Sequence, residues 1–376
     1  MKRVLVLASV ASMIDQFNMP NIMLLKKMGY EVDVACNFKE GNTCSDEKIR
    51  ELKDSLKAID VEFYQIDFSR EITNIRKNVR AFFQVNNVLK KNGYVFIHCH
   101  SPIGGLVGRI AGKLNGTKVI YTAHGFHFYK GAPLKNWIIY YPVEWICSWM
   151  TDALLVINRE DYRIAKKKLH AKETIYIPGV GVDIDKINSV QINREEKRKE
   201  LGLKSDDIVL LSVGELNQNK NHEIVIRALS ELNNSHIKYV ICGQGSLKKH
   251  LEKLAKELSV QNQLFMIGFR TDVIEIYKCA DIFVFPSKRE GLSVALMEAM
   301  VCGLPCVVSS IRGNVDLIDK YGGTLFNADS VQSCRNAIQN ILKSDLKLLG
   351  DNNLKKVGRF SDVKVINKLE KIYRVK

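Results

Sequence analysis

The sequence has no Cys-x-x-Cys pair, no apolar run long enough to cross a bilayer, and no acidic residue between Glu71 and Glu144. Each absence excludes something. Nine cysteines, at 36, 44, 99, 147, 242, 279, 302, 306 and 334, form an odd, scattered set, so no disulfide framework is expected. Met1-Lys2-Arg3 leads straight into a strand-like segment, and the apolar run from Val4 to Val10 is too short for a signal-peptide core with its cleavage site. The most apolar later stretch, Trp137 to Ile157, is broken by Pro142, Glu144 and Asp152, which excludes a membrane span. A reduced, cytosolic protein is the expectation. With 46% hydrophobic and 26% charged residues in 376, disorder and coiled coil are excluded, and the length suffices for two domains with separate cores.

What replaces the missing acids is positive charge. The formal net charge is +15, and Arg76, Lys77, Arg80, Lys90, Lys91, Arg109, Lys113, Lys118, Lys130 and Lys135 supply ten positive charges within the acid-free segment. Such a concentration favours an anionic partner: nucleic acid, a membrane surface or a phosphorylated substrate. Phe82, Phe83, Phe128, Tyr129, Trp137, Tyr140, Tyr141, Trp145 and Trp149 are interleaved with these charges, which suits an anionic bilayer. A basic nucleic-acid-binding protein is the alternative of a different class. It lacks support from any recognition helix or RNP-like strand.

Short apolar runs alternate with amphipathic stretches at the spacing of βα units. In the first half the runs are 4–9, 31–36, 63–68, 94–100, 118–124 and 153–158, with helical stretches at 15–28, 46–57, 71–91, 103–114 and 135–149. A second series gives strands at 208–216, 237–243, 264–269, 282–287, 305–310 and 322–326, with helices at 221–232, 246–258, 272–278, 292–301 and 330–343. The charged stretch 192–203 reads as a connection with a lid helix, and 350–358 as an Asn/Gly-rich break. The pattern predicts an α/β protein of two doubly wound, Rossmann-like domains, 1–185 and 186–358, with a helix in 359–376 returning to the first. Ligands are then expected in a cleft at the carboxyl ends of both sheets.

Three strand-to-helix turns carry the chemistry. Pro286 to Met300 holds Glu290 in the loop and Glu298 in the following helix, and between them the amides of Gly291, Leu292, Ser293 and Val294 offer an anion site. Val213-Gly-Glu-Leu-Asn217-Gln-Asn-Lys220 pairs a glycine, Gly214, with a lysine able to reach phosphate. Cys242-Gly-Gln-Gly-Ser246 supplies Gly243 and Gly245, a weak signal when taken alone. His98, His100, His124 and His127 match no common zinc spacing, and no metal site is expected. The helix Gly104-Gly-x-x-Gly108-x-x-x-Gly112 reads as close packing on the sheet rather than a dinucleotide fingerprint.

Together with Ile267-Gly268-Phe269-Arg270 and Gly303-x-Pro305, these turns resemble the retaining family-4 glycosyltransferases of GT-B fold. His100-Ser-Pro102, Thr122-Ala-His124-Gly125 and Pro178-Gly-Val-Gly-Val-Asp183 follow in that family's order, so the resemblance spans nearly the whole chain. Thr122 to Phe128, Gly214 to His222 and Ile311 to Asp316 are similar to the branch that builds bacterial exopolysaccharide, capsule or O-antigen units on a lipid carrier.

The resemblance implies roles. Glu298 would accept both ribose hydroxyls of a nucleotide, and Glu290 would hold hydroxyls of the donor sugar. Lys220 and the amides of Leu292, Ser293 and Val294 would neutralise the diphosphate leaving group. Gly268, Phe269 and Arg270 would flank the base, and His124 would face the donor sugar across the cleft. The first domain would bind the acceptor and the second the donor. The implied reaction moves a sugar, with retention, from a uridine diphosphate sugar to a lipid-diphosphate-linked saccharide on the inner face of the cell membrane. No cofactor or metal is implied, and no Asp-x-Asp stands at a strand end. One departure is visible: Glu215 stands where the commoner pattern has arginine, so Arg289 is a candidate second cation, and Glu215 could instead contact the acceptor or a lysine. A same-fold alternative, a nucleotide-sugar epimerase of the hydrolysing type, lacks its catalytic acid arrangement here.

Overall fold

Strands covered on both faces read as continuous apolar runs, and β1 (Arg3–Val10) is of that kind, with Val4 to Ala8 fully buried. The computed structural model describes residues 2–69 and 71–375. After β1 come α1 (Ala11–Phe17), α2 (Met19–Lys27), β2 (Glu31–Asn37), α3 (Asp46–Ala58), β3 (Glu62–Gln65), α4 (Ile75–Asn92) and β4 (Phe96–His100). The half is completed by α5 (Pro102–Leu114), β5 (Lys118–Ala123), α6 (Leu134–Ser148), β6 (Ala153–Val156), α7 (Arg159–Lys168) and β7 (Glu173–Tyr176). All pairings are parallel, in the order β3-β2-β1-β4-β5-β6-β7, so the winding reverses between β1 and β4. The glycines of α5 do pack on the sheet. A Cβ at Gly105 would stand 2.4 Å from the Tyr121 ring, and one at Gly108 2.3 Å from the Cys99 sulfur.

The second series begins with two short helices, α8 (Ile184–Ser189) and α9 (Arg194–Glu200), followed by β8 (Ile208–Val213), α10 (His222–Leu232), β9 (Ile237–Cys242) and α11 (Lys248–Glu257). It continues through β10 (Leu264–Gly268), α12 (Val273–Cys279), β11 (Ile282–Phe285), α13 (Val294–Val301), β12 (Cys306–Ser309), α14 (Asn314–Leu317) and β13 (Gly323–Phe326). The chain closes with α15 (Val331–Leu342), α16 (Leu346–Val357) and α17 (Asp362–Val375). The order β10-β9-β8-β11-β12-β13, again all parallel, reverses between β8 and β11.

By its contacts the chain forms two units, Met1–Val180 with Lys364–Lys376, and Gly181–Val363. The switch points differ by a few residues from 185/186 and 358/359. The amide of Val182 donates to the Phe360 carbonyl and that of Asp362 to the Val182 carbonyl, which fastens 181–185 alongside 360–362.

Four local expectations are corrected. The stretch 350–358 is no break but the body of α16, because Asn353 is fully buried and its amide nitrogen donates to the carbonyls of Leu304 (2.8 Å) and Gly322 (2.7 Å). The helix expected at 15–28 is two helices, parted at Asn18 ahead of Pro20. The stretch 192–203 is not a loose lid. Arg198 is buried on the Cys279 and Asp207 carbonyls and the Asp281 carboxylate, while Lys197 pairs with Asp272 and Glu275.

Finally, the ten positive charges of the acid-free segment are not all available to an anionic partner, nor are all its aromatics exposed. Arg109 is buried against Glu144 at 2.7 and 3.1 Å, Lys77 pairs with Glu40 and Arg80 with Asp67, and Phe128 lies in the core. Phe83, Trp145 and Trp149 remain exposed. Among the described residues no helix is long and apolar enough to cross a membrane.

Candidate active site

In the second unit the β8–α10 and β11–α13 loops leave the sheet side by side at its carboxyl edge, where the winding reverses and open α/β sheets bind ligands. Hydrogen bonds stitch them together. The Lys288 amide donates to the Asn219 carbonyl (2.8 Å), the Asn219 side chain to the Arg289 carbonyl (3.0 Å), and the Asn221 side chain to the Pro286 carbonyl (3.2 Å). The register so fixed brings Lys220 and Glu290 together. Lys220 Nζ lies 2.8 Å from Glu290 Oε1 and 4.7 Å from the centre of the Phe285 ring, with both charged side chains largely shielded. Behind this pair Gly243 is held by its amide on the Gly268 carbonyl, at 2.7 Å. A Cβ there would stand 1.9 Å from the Gly214 carbonyl oxygen, so only glycine lets the two turns meet. Gly245 is pressed in the same way on the backbone of Leu216.

The helix expected from 292 starts at Val294, with Ser293 as its cap: Ser293 Oγ accepts from the Leu296 amide. Among the described residues the amides of Gly291, Leu292, Ser293 and Val294 have no protein acceptor, leaving a row of donors at a positive helix end. Glu298 lies on α13, mostly buried, with Oε2 3.2 Å from the Tyr277 hydroxyl. Burial pushes its carboxyl above the usual range, against the opposing pull of Tyr277 and Lys186.

The remaining expected residues divide. Glu215 is exposed and accepts from the Asn217 amide at 3.0 Å, forming no ion pair with a lysine among the described residues. Arg289 is exposed and unpaired among them. The Arg270 guanidinium is engaged by Asp272 (2.7 Å) and Glu200 (2.6 Å), which leaves its neighbour Phe269, 71% exposed, as the free flat surface beside Gly268.

His124 belongs to the first unit, at the carboxyl end of β5, and ends a ladder of imidazoles. His100 Nδ1 is 3.1 Å from His124 Nε2, the rings of His98 and His100 are 4.1 Å apart, and His98 meets Thr122 and the Tyr373 hydroxyl at 2.8 Å each. Burial lowers His98 to about 3 and His124 to about 4, so the ladder is neutral at physiological pH. Among the described residues a close metal-type donor cluster occurs at Asp206, Asp207 and His236, just before β8 at the opposite edge, and not among the histidines of β4 and β5.

The ion pair and Tyr277 were not anticipated, and the sequence groups the histidines at successive strand ends without the contact of His100 with His124. Tyr277 sits in an apolar helix that reads as core, and only the pairing of β4 with β5 reveals that His100 and His124 are neighbours.

Two doubly wound parallel sheets, one with a phosphate-ready pair of loops at its carboxyl edge, define the GT-B class of fold. Solved structures agree on that fold: Anabaena HepE in complex with UDP superposes with a TM-score of 0.79 over 100% of both chains at 18% identity. WaaG, a glycosyltransferase involved in lipopolysaccharide biosynthesis, superposes with 0.73 over 99% of both at 20% identity.

Two family models match the sequence, Glycosyl transferase 4-like over residues 3–158 and Glycosyl transferases group 1 over 193–359. A Bacillus subtilis (strain 168) protein named as the glycosyltransferase EpsD is 34% identical, covering 99% of this chain and 96% of its own length. The Escherichia coli UDP-Gal:alpha-D-GlcNAc-diphosphoundecaprenol alpha-1,3-galactosyltransferase is 29% identical over 98% of this chain and 95% of its own. The chain belongs to the family-4 glycosyltransferases, and it is an enzyme of that class.

Proposed function

We propose that the enzyme transfers a sugar, with retention and without a metal, from a UDP-sugar to a saccharide carried on a lipid diphosphate, in the synthesis of a surface polysaccharide. The observation that carries the reading is the Lys220–Glu290 pair at 2.8 Å, beside the unpaired amides at the start of α13. A diphosphate leaving group develops charge as the glycosidic bond breaks, and a fixed cation with a row of N–H donors meets that charge without reorganising. Glu290, shielded by its partner, is a carboxylate suited to two sugar hydroxyls. Glu298, mostly buried, suits the ribose, and exposed Phe269 suits the face of the base. In the first unit the neutral His124 can accept or donate a hydrogen bond to a sugar hydroxyl without placing positive charge beside an oxocarbenium-like centre.

Donor and acceptor classes are supported by the names of relatives: UDP is bound in HepE, and a diphosphoundecaprenol saccharide is the acceptor in the Escherichia coli enzyme's name. The exposed cations and aromatics of the acid-free segment suit an acceptor embedded in an anionic membrane.

The test is direct. The purified chain is incubated in EDTA with a panel of UDP-sugars and a synthetic prenyl-diphosphate N-acetylhexosamine, and the lipid product is followed by mass spectrometry with its anomeric configuration read by NMR. One hexose added with retained configuration is the expected result. No product with any UDP-sugar, or a strict requirement for a divalent ion, would refute the corresponding part.

A further inference from the structure

In the first unit α4 and α5 run side by side, and between them lies an open groove of about 360 Å³, whose lining includes Ile75, Val79, Phe82, Leu106, Val107 and Ile110. That volume falls in the range of small-molecule sites, ~300–1,000 Å³. A single exposed apolar side chain needs no explanation. Here, however, Ile75, Val79 and Phe83 recur at a helical spacing on α4, 70%, 48% and 62% exposed, so they form one stripe along the groove's rim.

Arg76 stands next to that stripe, as does Arg80, which is paired with Asp67, and α4 is therefore amphipathic in the interfacial sense, an apolar edge bordered by basic side chains. The groove also has a direction. α4 and α5 both begin at the carboxyl edge of the sheet, α5 two residues after the end of β4, so Leu106 and Ile110 lie ~6 and ~12 Å along the helix from that edge. His124 stands on the same edge, with exposed Lys130 and Lys135 in the loop and helix that follow β5.

We propose that this groove holds the hydrocarbon chain of a prenyl diphosphate, the anchor of the lipid-linked acceptor, with its diphosphate turned toward the carboxyl edge. Charge complementarity selects the occupant: a furrow that is apolar except for Asn78, whose side chain is taken up by the Ser69 amide and the Glu71 carbonyl, and that opens toward cations with no ion pair among the described residues, matches a ligand with an apolar tail and an anionic head. A furrow between two adjacent helices is one chain wide, since packed helix axes stand only ~8–10 Å apart. The inference rests on the reading of the acceptor as a lipid diphosphate and adds the place where its tail is held.

The test uses the full chain and farnesyl diphosphate as the probe, with isopentenyl diphosphate and inorganic diphosphate for comparison. Farnesyl diphosphate is expected to bind at least ten-fold more tightly than the five-carbon diphosphate, and Val79→Asp to weaken it at least ten-fold while UDP binding is unchanged. A benzophenone-bearing prenyl diphosphate should label peptides of α4 or α5 in the parent chain, a readout that needs no variant. Equal affinity for all three diphosphates, or labelling elsewhere, would overturn the proposal. So would a Val79→Asp variant that loses vesicle binding but keeps farnesyl diphosphate, since the stripe would then be a membrane contact only. If the probe binds and labels the groove while no sugar reaches any lipid diphosphate, the groove stands and the proposed acceptor falls. If transfer proceeds unaltered in Val79→Asp, the reverse holds.

Discussion

Lys220 and Glu290 stand seventy positions apart in the chain and 2.8 Å apart in space. On the proposed reading the glutamate holds the lysine where an incoming diphosphate would need it, so the two residues should fail differently. Lys220→Ala removes a fixed donor to developing charge and should lower kcat by ~10²–10³. Glu290→Gln keeps a hydrogen-bonding partner for the lysine, and should depress turnover while leaving UDP affinity within a few-fold of the parent. Initial rates beside calorimetry with UDP separate the two, and parental turnover in either variant would remove that residue from the machinery.

If Glu298 holds the ribose as proposed, UDP binding acquires a pH dependence of known sign. Burial raises its carboxyl above 4.5, and only the ionised form accepts both ribose hydroxyls. UDP affinity should therefore be full near neutrality and fall as pH drops through the raised value, at a pH where an ordinary carboxylate is still charged. Calorimetric titrations at successively lower pH should show this decline beginning above the ordinary carboxylate range, and Glu298→Gln should bind weakly at every pH. A variant with the parent's pH profile would place the titrating group elsewhere.

The buried histidines predict acid sensitivity. His98 at about 3, and His124 and His222 at about 4, all lie below the unfolded value of ~6.5, so the unfolded chain takes up protons first. Stability is complete above ~6.5 and is lost as pH falls from there toward 4. Urea midpoints at pH 7.5, 6.5, 5.5 and 5 should decline steadily, and His222→Asn should flatten part of the slope. Midpoints that stay level from pH 7 to 5 would contradict the neutral burial of the ladder.

Much of this was legible in the sequence, for physical reasons. Strands such as β1 and β8 are covered on both faces, so their runs of valine, isoleucine and leucine are continuous, and the loops that follow them carry the glycines and charges of the site. β7 escaped notice because it is an edge strand of four half-exposed or exposed residues, Glu173 to Tyr176, with little apolar signal. α16 escaped because Gly350 and Asn353 read as loop formers, whereas one permits contact with the Gly303 backbone and the other satisfies two buried carbonyls. Net charge misled most at Arg109, whose partner Glu144 lies 35 positions away on the next helix. Pairings that depend on how loops and helices align cannot be read from spacing along one chain.

Tyr373 tests the role of the last helix. Its hydroxyl meets His98 Nδ1 at 2.8 Å, and its ring stacks on Phe96 with centroids 5.6 Å apart. Tyr373→Phe keeps the stacking and leaves one buried imidazole nitrogen without a partner, at a cost of ~1–3 kcal/mol. The variant should unfold at lower urea and bind UDP normally, because the proposed donor-site residues belong to the other unit. Unchanged stability would mean that the hydroxyl contributes nothing net.

The membrane prediction changes once burial is known. Arg109 is buried, and Lys77 and Arg80 face Glu40 and Asp67, so their charges reach a surface already opposed. Arg76, Lys130 and Lys135 are exposed, and all three follow strand ends at the carboxyl edge of the first sheet, where they can act together. Each cation near an anionic surface contributes ~1 kcal/mol, and the attraction fades within ~8 Å at physiological salt, so three on one edge suffice for reversible attachment when apolar side chains such as Phe83 assist. Reversing Arg76, Lys130 and Lys135 to glutamate should release the protein from phosphatidylglycerol vesicles in co-sedimentation at low salt, with UDP binding intact. The parent should come off as salt rises. Attachment indifferent to both salt and the triple reversal would show that apolar contact alone holds the protein, and salt-sensitive binding to RNA but not to vesicles would turn the basic segment toward nucleic acid.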